Sequence, residues 1–460
     1  MTYTPQLAEH RFGYGLSPRQ QGPESAVNML DTLAGPDRIA QSLPVQSYRA
    51  LQDALVLRRR FRGFARKNPQ TSKGKEADQK QRDIYGQMQA EWRRGFVQIQ
   101  ARRSLTQDAF RERLVAFWAD HFTARGKGGM LRFAMTAYVE EAIRPQLTGR
   151  FADMLVGCVT HPLMLHYLDQ DSSVGPNSIM VRRRDVDRGL NENLAREVLE
   201  LHTLGVGGPY SQQDVRQLAE LFTGLTRSRD YTFVFRRNIA EPGPETVLGK
   251  TYGAGASMQY VEAALRDLAA HPATARHIAG KLAVHFISDR PPADLIGALE
   301  QTYLDSDGDL MRLYQVLLDH PAAWVSELQN IRPPDEFVSA SLRALGVTAQ
   351  DLAGLKDRDL RDLFFRPLTL MGQSWQQPPG PDGWPEEDTA WVTPQGVAAR
   401  LEWAMHVPQR LVQDLPQPGA FVDATLGAAA PSEIRFAAQA AESRAVGIGL
   451  VLSAPAFQRR

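Results

Sequence analysis

The sequence predicts a mainly α protein, a large multi-helix assembly with one small β-hairpin excursion. Three observations point there. Apolar residues recur at helical spacing along most of the chain, as at Phe110, Leu114, Phe117 and Trp118. Cap residues, glycines and prolines bracket these stretches. The alternation of strands and helices that a parallel sheet requires is missing. With 460 residues and 43% hydrophobic content, the chain is long enough for a large core. We read one helical unit over 1–460, carrying a basic helical arm over 48–103 and a β-hairpin insertion over 228–250.

The opening, Leu7 to Pro18, reads as a short helix running into a turn at Gly13-Tyr14-Gly15. No strand precedes these glycines, so a phosphate-binding loop is not expected. From Tyr48 to Arg103 there are 15 basic against five acidic residues, about +10, which leaves the remainder of the chain about −9. The polar breaker Asn68 to Lys75 divides this segment into two helices joined by a flexible basic tip, with helical spacing resuming through Ile84, Met88, Trp92 and Phe96. Asp108 to Phe122 forms the next helix, and His121 lies on its apolar stripe.

A glycine-rich turn at Gly126 to Gly129 leads to a helix around Tyr138 to Ile143, closed by Pro145. The pairs His161-Pro162, His271-Pro272 and His320-Pro321 each precede a helical pattern, where proline at the first helical position explains them without catalysis. His166 sits inside its helix. A polar loop from Asp169 to Ser178 follows, and then the basic run Arg182-Arg183-Arg184.

Asn191 to Gly205 is the most informative stretch. Asn191 is a good N-cap and Gly205 falls where a helix ends in a left-handed residue, giving roughly three to four turns. His202 shares the apolar face with Leu194, Ala195, Val198, Leu199 and Leu201, while Asn193, Arg196, Glu197 and Glu200 crowd the opposite arc. Further on, Ser211 to Asp214 resembles a capping box. Tyr231 to Arg236 is the clearest strand, with Glu245 to Gly249 as its expected partner. Helices are expected over 258–270, 273–287, 292–304 and 310–319. Asp305 to Asp309 looks calcium-like but lacks the closing glutamate of an EF-hand. The tryptophan- and proline-rich run Trp375 to Pro385 should drape over the helices, its tryptophans filling grooves.

Composition narrows the function classes. The chain holds 53 basic and 52 acidic residues, so net charge alone implies neither nucleic acid nor an anionic membrane. The basic arm alone suggests an acidic partner or polyanion, and it has too few interleaved aromatics for base stacking, so nucleic acid is not expected. One cysteine, Cys158, excludes an intramolecular disulfide and a cysteine-rich zinc site. With no signal-like N-terminus and no apolar run of spanning length, the sequence reads as cytoplasmic, or as exported if a signal peptide has been removed.

Two readings of the central helix compete. As an enzyme, a metal-dependent hydrolase or oxidoreductase or an acid/base catalyst, it would use His121, His202, Arg196 and Glu200 catalytically. A divalent metal is the candidate cofactor, with Asn193, Glu197, Glu200 and Asp120 as ligands, because i, i+3 and i, i+4 spacing lets oxygens on one helix reach one ion. As a scaffold, Glu192, Arg196 and Glu200 are an ordinary salt-bridge ladder and the histidines are core residues.

Trp118-Ala119-Asp120-His121-Phe122, His161 to Leu165 with Tyr167-Leu168-Asp169, and Asn191 to Gly205 with Tyr210 and Asp214-Val215 resemble a bacterial family, domain of unknown function 1800. Lys281-Leu282, Phe286, Asp289, Met371-Gly372-Gln373 and Gly383-Trp384-Pro385 extend the likeness over almost the whole chain. The resemblance implies a large helical protein, encoded beside a partner of the sulfatase and alkaline-phosphatase kind. It also implies a His-Asp pair ahead of the hairpin's Leu-Gly, but Arg237 to Glu241 stands there in this chain.

Overall fold

The computed structural model describes residues 3–183, 189–253 and 255–460, so Arg184 of the basic run lies outside the described residues. Helices dominate, organised around two apolar cores. The first collects Phe12, Leu114, Trp118, Phe151, Leu199 and Leu282, and the second Phe337, Leu363, Trp403, Phe421 and Ile448. One helix, Ser72–Leu105, serves both: Ile84 and Met88 enter the first core, and Phe96, Val97 and Ala101 the second.

Where the cores meet, charges removed from water must be paired. Glu9 of the opening helix Pro5–Arg11 meets Arg343 at 3.1 Å, Arg103 meets Asp335, and Glu336 is shared by Arg113 and by Arg460 at 3.1 Å. The expected turn after the opening helix is present, with Gly15 in the left-handed region at φ +83°.

The arm is a helical hairpin, Tyr48–Lys67 against Ser72–Leu105. Its breaker is shorter than expected. The Thr71 hydroxyl accepts the Gly74 amide and caps a helix that begins at Ser72, so only Asn68 to Thr71 turn and residues 72–75 are helical.

The β-structure differs from the single hairpin expected. Strand β1 (Leu225–Arg227) pairs antiparallel with β2 (Phe233–Phe235), and β3 (Glu245–Val247) with β4 (Lys250–Tyr252), as two separate two-stranded sheets. The strand read at Tyr231 to Arg236 therefore pairs backward with Leu225–Arg227, not forward with Glu245 to Gly249. Glu245–Val247 folds on its own successor through Leu248 and Gly249, both at positive φ (50° and 76°), the geometry of a tight two-residue hairpin turn.

Among the described residues no helix is long and apolar enough to cross a membrane.

Candidate active site

A cavity of about 160 Å³ opens between the two cores. Its walls come from the Ala109–His121 helix (Glu112, Val115, Ala116, Asp120), from Met135 to Arg144, from Pro333 to Glu336, and from the Gln373 to Trp391 segment. The last wall is the tryptophan- and proline-rich run. Trp375 packs edge-on against Phe96 at 5.0 Å, and Gln376 links Trp92 Nε1 (2.9 Å) to Thr136 Oγ1 (2.6 Å). The run thus spans from the arm helix to the cavity, with tryptophans filling gaps as expected.

Asp120 stands one residue from the end of its helix and lines the cavity. Its Oδ1 accepts the Trp384 amide at 2.9 Å. This contact depends on Gly383, whose φ is +82° and whose Cα faces the carboxylate so closely that a Cβ would lie 2.6 Å from Oδ1. Burial raises the Asp120 carboxyl to about 7, Glu386 adding repulsion and Lys281 opposing it.

Glu386 has the contrary environment. His285 Nδ1 lies 2.9 and 3.0 Å from its two carboxylate oxygens, while His285 Nε2 lies 3.1 Å from Arg113 Nη2. A guanidinium only donates, so Nε2 is the acceptor and the ring proton sits on Nδ1, directed at Glu386. Burial works to raise the Glu386 carboxyl, but His285, Lys281 and Arg113 together hold it below its ordinary value. One cavity wall therefore carries a carboxyl that keeps its proton near neutrality and a carboxylate that gives its proton up.

The residues singled out from the sequence divide into three places. Asp120 lines the cavity. His121 and His202 are fully buried with ring centroids 6.0 Å apart, and His277 completes a cluster 6.1 Å from His121. Neither His121 nor His202 lines the cavity. His121 Nε2 faces the His202 carbonyl at 3.2 Å and His277 Nε2 the Leu201 carbonyl at 3.1 Å, so both carry that proton, and burial pushes all three imidazoles below their usual range. Gly205, at φ +86°, closes against His277, where a Cβ would lie 2.9 Å from Nδ1.

The third place is the outer face of the central helix. Asn191 Oδ1 accepts the Asn193 amide at 2.9 Å, and the helix runs Asn193–Glu197 before widening into a π-turn over Val198–His202. Arg196 lies 3.2 Å from Glu192 and 3.3 Å from Glu200, the ladder of the scaffold reading. Asn193 is exposed. Glu197 is half-buried, its carboxyl raised by burial and then by Glu200 and Asp382. Asp120 is bound to Trp384 on the cavity side and is not gathered with these residues into a ligand set: among the described residues no group of three His, Cys, Asp or Glu side chains is placed to hold a metal ion.

Sequence reasoning missed Glu386 and His285. His285 is the penultimate residue of the helix Pro272–Phe286 and nothing local singles it out, and Glu386 belongs to a loop. Of the segments that carry the family likeness, Ala119-Asp120, Gln373 and Trp384-Pro385 line the cavity, and Phe286 adjoins His285 in sequence. With this architecture in place, the comparison with known families is decisive on membership: residues 8–459 match the family described as protein of unknown function (DUF1800), and the chain belongs to it. No curated protein and no solved structure matches the chain.

Proposed function

We propose that the protein is an acid/base enzyme whose substrate enters the cavity between the two cores. Asp120 is the general acid and Glu386 the general base, with His285 and Arg113 positioning Glu386. The observation that carries this reading is the opposite bias of two carboxyl groups at one wall, Asp120 raised to about 7 and Glu386 held low. A proton moves from Asp120 to the leaving group while Glu386 takes one from the attacking water, the division of labour of a hydrolase.

This moves the chemistry away from the Asn191 to Gly205 helix, where Arg196 is engaged by Glu192 and Glu200 and where His202 is sealed in the first core. His202 of that helix, His121 and Asp120 all feel the charge of Lys281. A phosphatase- or sulfatase-like partner, implied by the family resemblance, belongs to the same proposal as the protein that supplies or consumes the substrate.

The test is turnover of a panel of chromogenic esters, amides and glycosides by the wild type, Asp120→Asn and Glu386→Gln. Activity should fall on the order of 100-fold or more in each variant with unchanged melting temperature. Undiminished turnover by Asp120→Asn contradicts the assignment.

A further inference from the structure

The basic arm leaves its charge unspent. Arg60, Arg62, Arg66, Lys67, Lys73 and Lys75 are exposed, and among the described residues none of them forms an ion pair. Nearer the body of the protein the pattern is different, with Arg59 held by Asp230, Lys80 by Glu76 and Arg82 by Asp78. The unpaired charges are therefore concentrated at the end of the hairpin. The longer helix has 34 residues, about 50 Å, which carries this end away from the cavity.

Two features of the tip run against what helix stability alone favours. Lys73 and Lys75 occupy the first turn of Ser72–Leu105, which holds no acidic residue, although the positive end of the helix dipole disfavours cations there. Phe64, between Arg62 and Arg66 in sequence, is 44% exposed, and Leu57, two turns back on the same face, is 43% exposed. Exposed apolar side chains among unpaired cations are the composition of a helix lying at a lipid interface, where the ring enters the headgroup layer and the cations meet anionic headgroups.

We propose that the arm tip docks the protein on an anionic lipid surface. The end of a two-helix hairpin is convex and offers no groove for a peptide. Of the arm's exposed large apolar side chains, Leu57 and Phe64, only Phe64 is aromatic, too few for successive bases to stack on, which disfavours single-stranded nucleic acid. A fluid, flat, negatively charged layer fits both the convex shape and the charge.

Sedimentation of the full chain with vesicles tests this. The protein should pellet with phosphatidylcholine vesicles containing phosphatidylglycerol, stay soluble with phosphatidylcholine alone, and be released as salt is raised. Reversing three charges, Arg62→Glu, Arg66→Glu and Lys67→Glu, should weaken vesicle binding on the order of 100-fold. Phe64→Ala should weaken it less and keep the wild-type melting temperature because the side chain is exposed, while the charge reversal should stay folded with a slightly lower one, since Arg66 and Lys67 lie in the last turn of Tyr48–Lys67. Equal binding to neutral vesicles, no binding to anionic ones, or unaltered binding by the charge-reversed arm overturns the proposal. So does tighter arm-dependent binding to single-stranded DNA or polyglutamate than to the anionic vesicles.

Discussion

The carboxylate of Asp120 is fixed by the backbone of Trp384, 264 residues further along the chain, through a 2.9 Å bond from the amide to Oδ1. The bond ties the end of a helix in the first core to the loop that leads into Glu386, whose carboxylate is held in turn by His285. Gly383 makes it sterically feasible. Gly383→Ala puts a methyl group 2.6 Å from Oδ1 on a residue at φ +82°. We expect a loss of about 1–2 kcal/mol in urea unfolding and displacement of the loop from Asp120. An alanine variant as stable as the wild type contradicts this packing.

Acid sensitivity follows from the buried imidazoles. Burial holds His10 and His202 to about 3 and His277 to about 4. The folded state disfavours the charged form, so the unfolded chain binds more protons once the pH drops below the ordinary value. The contribution of these histidines to stability is complete above about pH 6.5 and is lost as the pH falls toward about 4 for His277 and about 3 for His10 and His202, by up to ~1.4 kcal/mol per pH unit for each. His202→Gln should flatten this decline relative to wild type, measured as the urea midpoint against pH. An identical slope in the variant counts against a neutral His202.

The Arg196 ladder should contribute little. Arg196 is 37% exposed between Glu192 and Glu200. Arg196→Ala is expected to cost about 0.3–1 kcal/mol in stability, with turnover close to wild type. A collapse of activity at unchanged stability would return the chemistry to the central helix.

The helical fold was legible because its signals are local. The Ser211 and Asp214 capping box and the proline starts after His161, His271 and His320 act within a few residues and are present, and Gly205 is left-handed as expected, though the helix ends earlier, at His202. The approach of His121 and His202 was legible too, because each lies on the apolar stripe of a helix in the same core. Strand pairing was not, since Phe233–Phe235 had two possible neighbours and the turn at Leu248-Gly249 lacks the usual asparagine or aspartate. The cavity was least legible of all. Asp120, His285 and Glu386 come from segments more than 100 positions apart, and only the folded chain shows that His285 spends one nitrogen on Arg113 and aims the other at Glu386.

The most direct measurement is the titration of the Asp120 carboxyl, followed by carbon NMR of side-chain-labelled aspartate and assigned with Asp120→Asn. In the wild type it should titrate at about 7, because burial and then the Glu386 charge disfavour its ionised form. In Glu386→Gln the repulsion is gone and the value should fall, though not to that of an exposed aspartate, since burial remains. The alkaline limb of any activity should follow the same value, falling as the pH rises through about 7. An Asp120 carboxyl that titrates near 4, and does not respond to Glu386→Gln, contradicts the acid and base roles assigned to the pair.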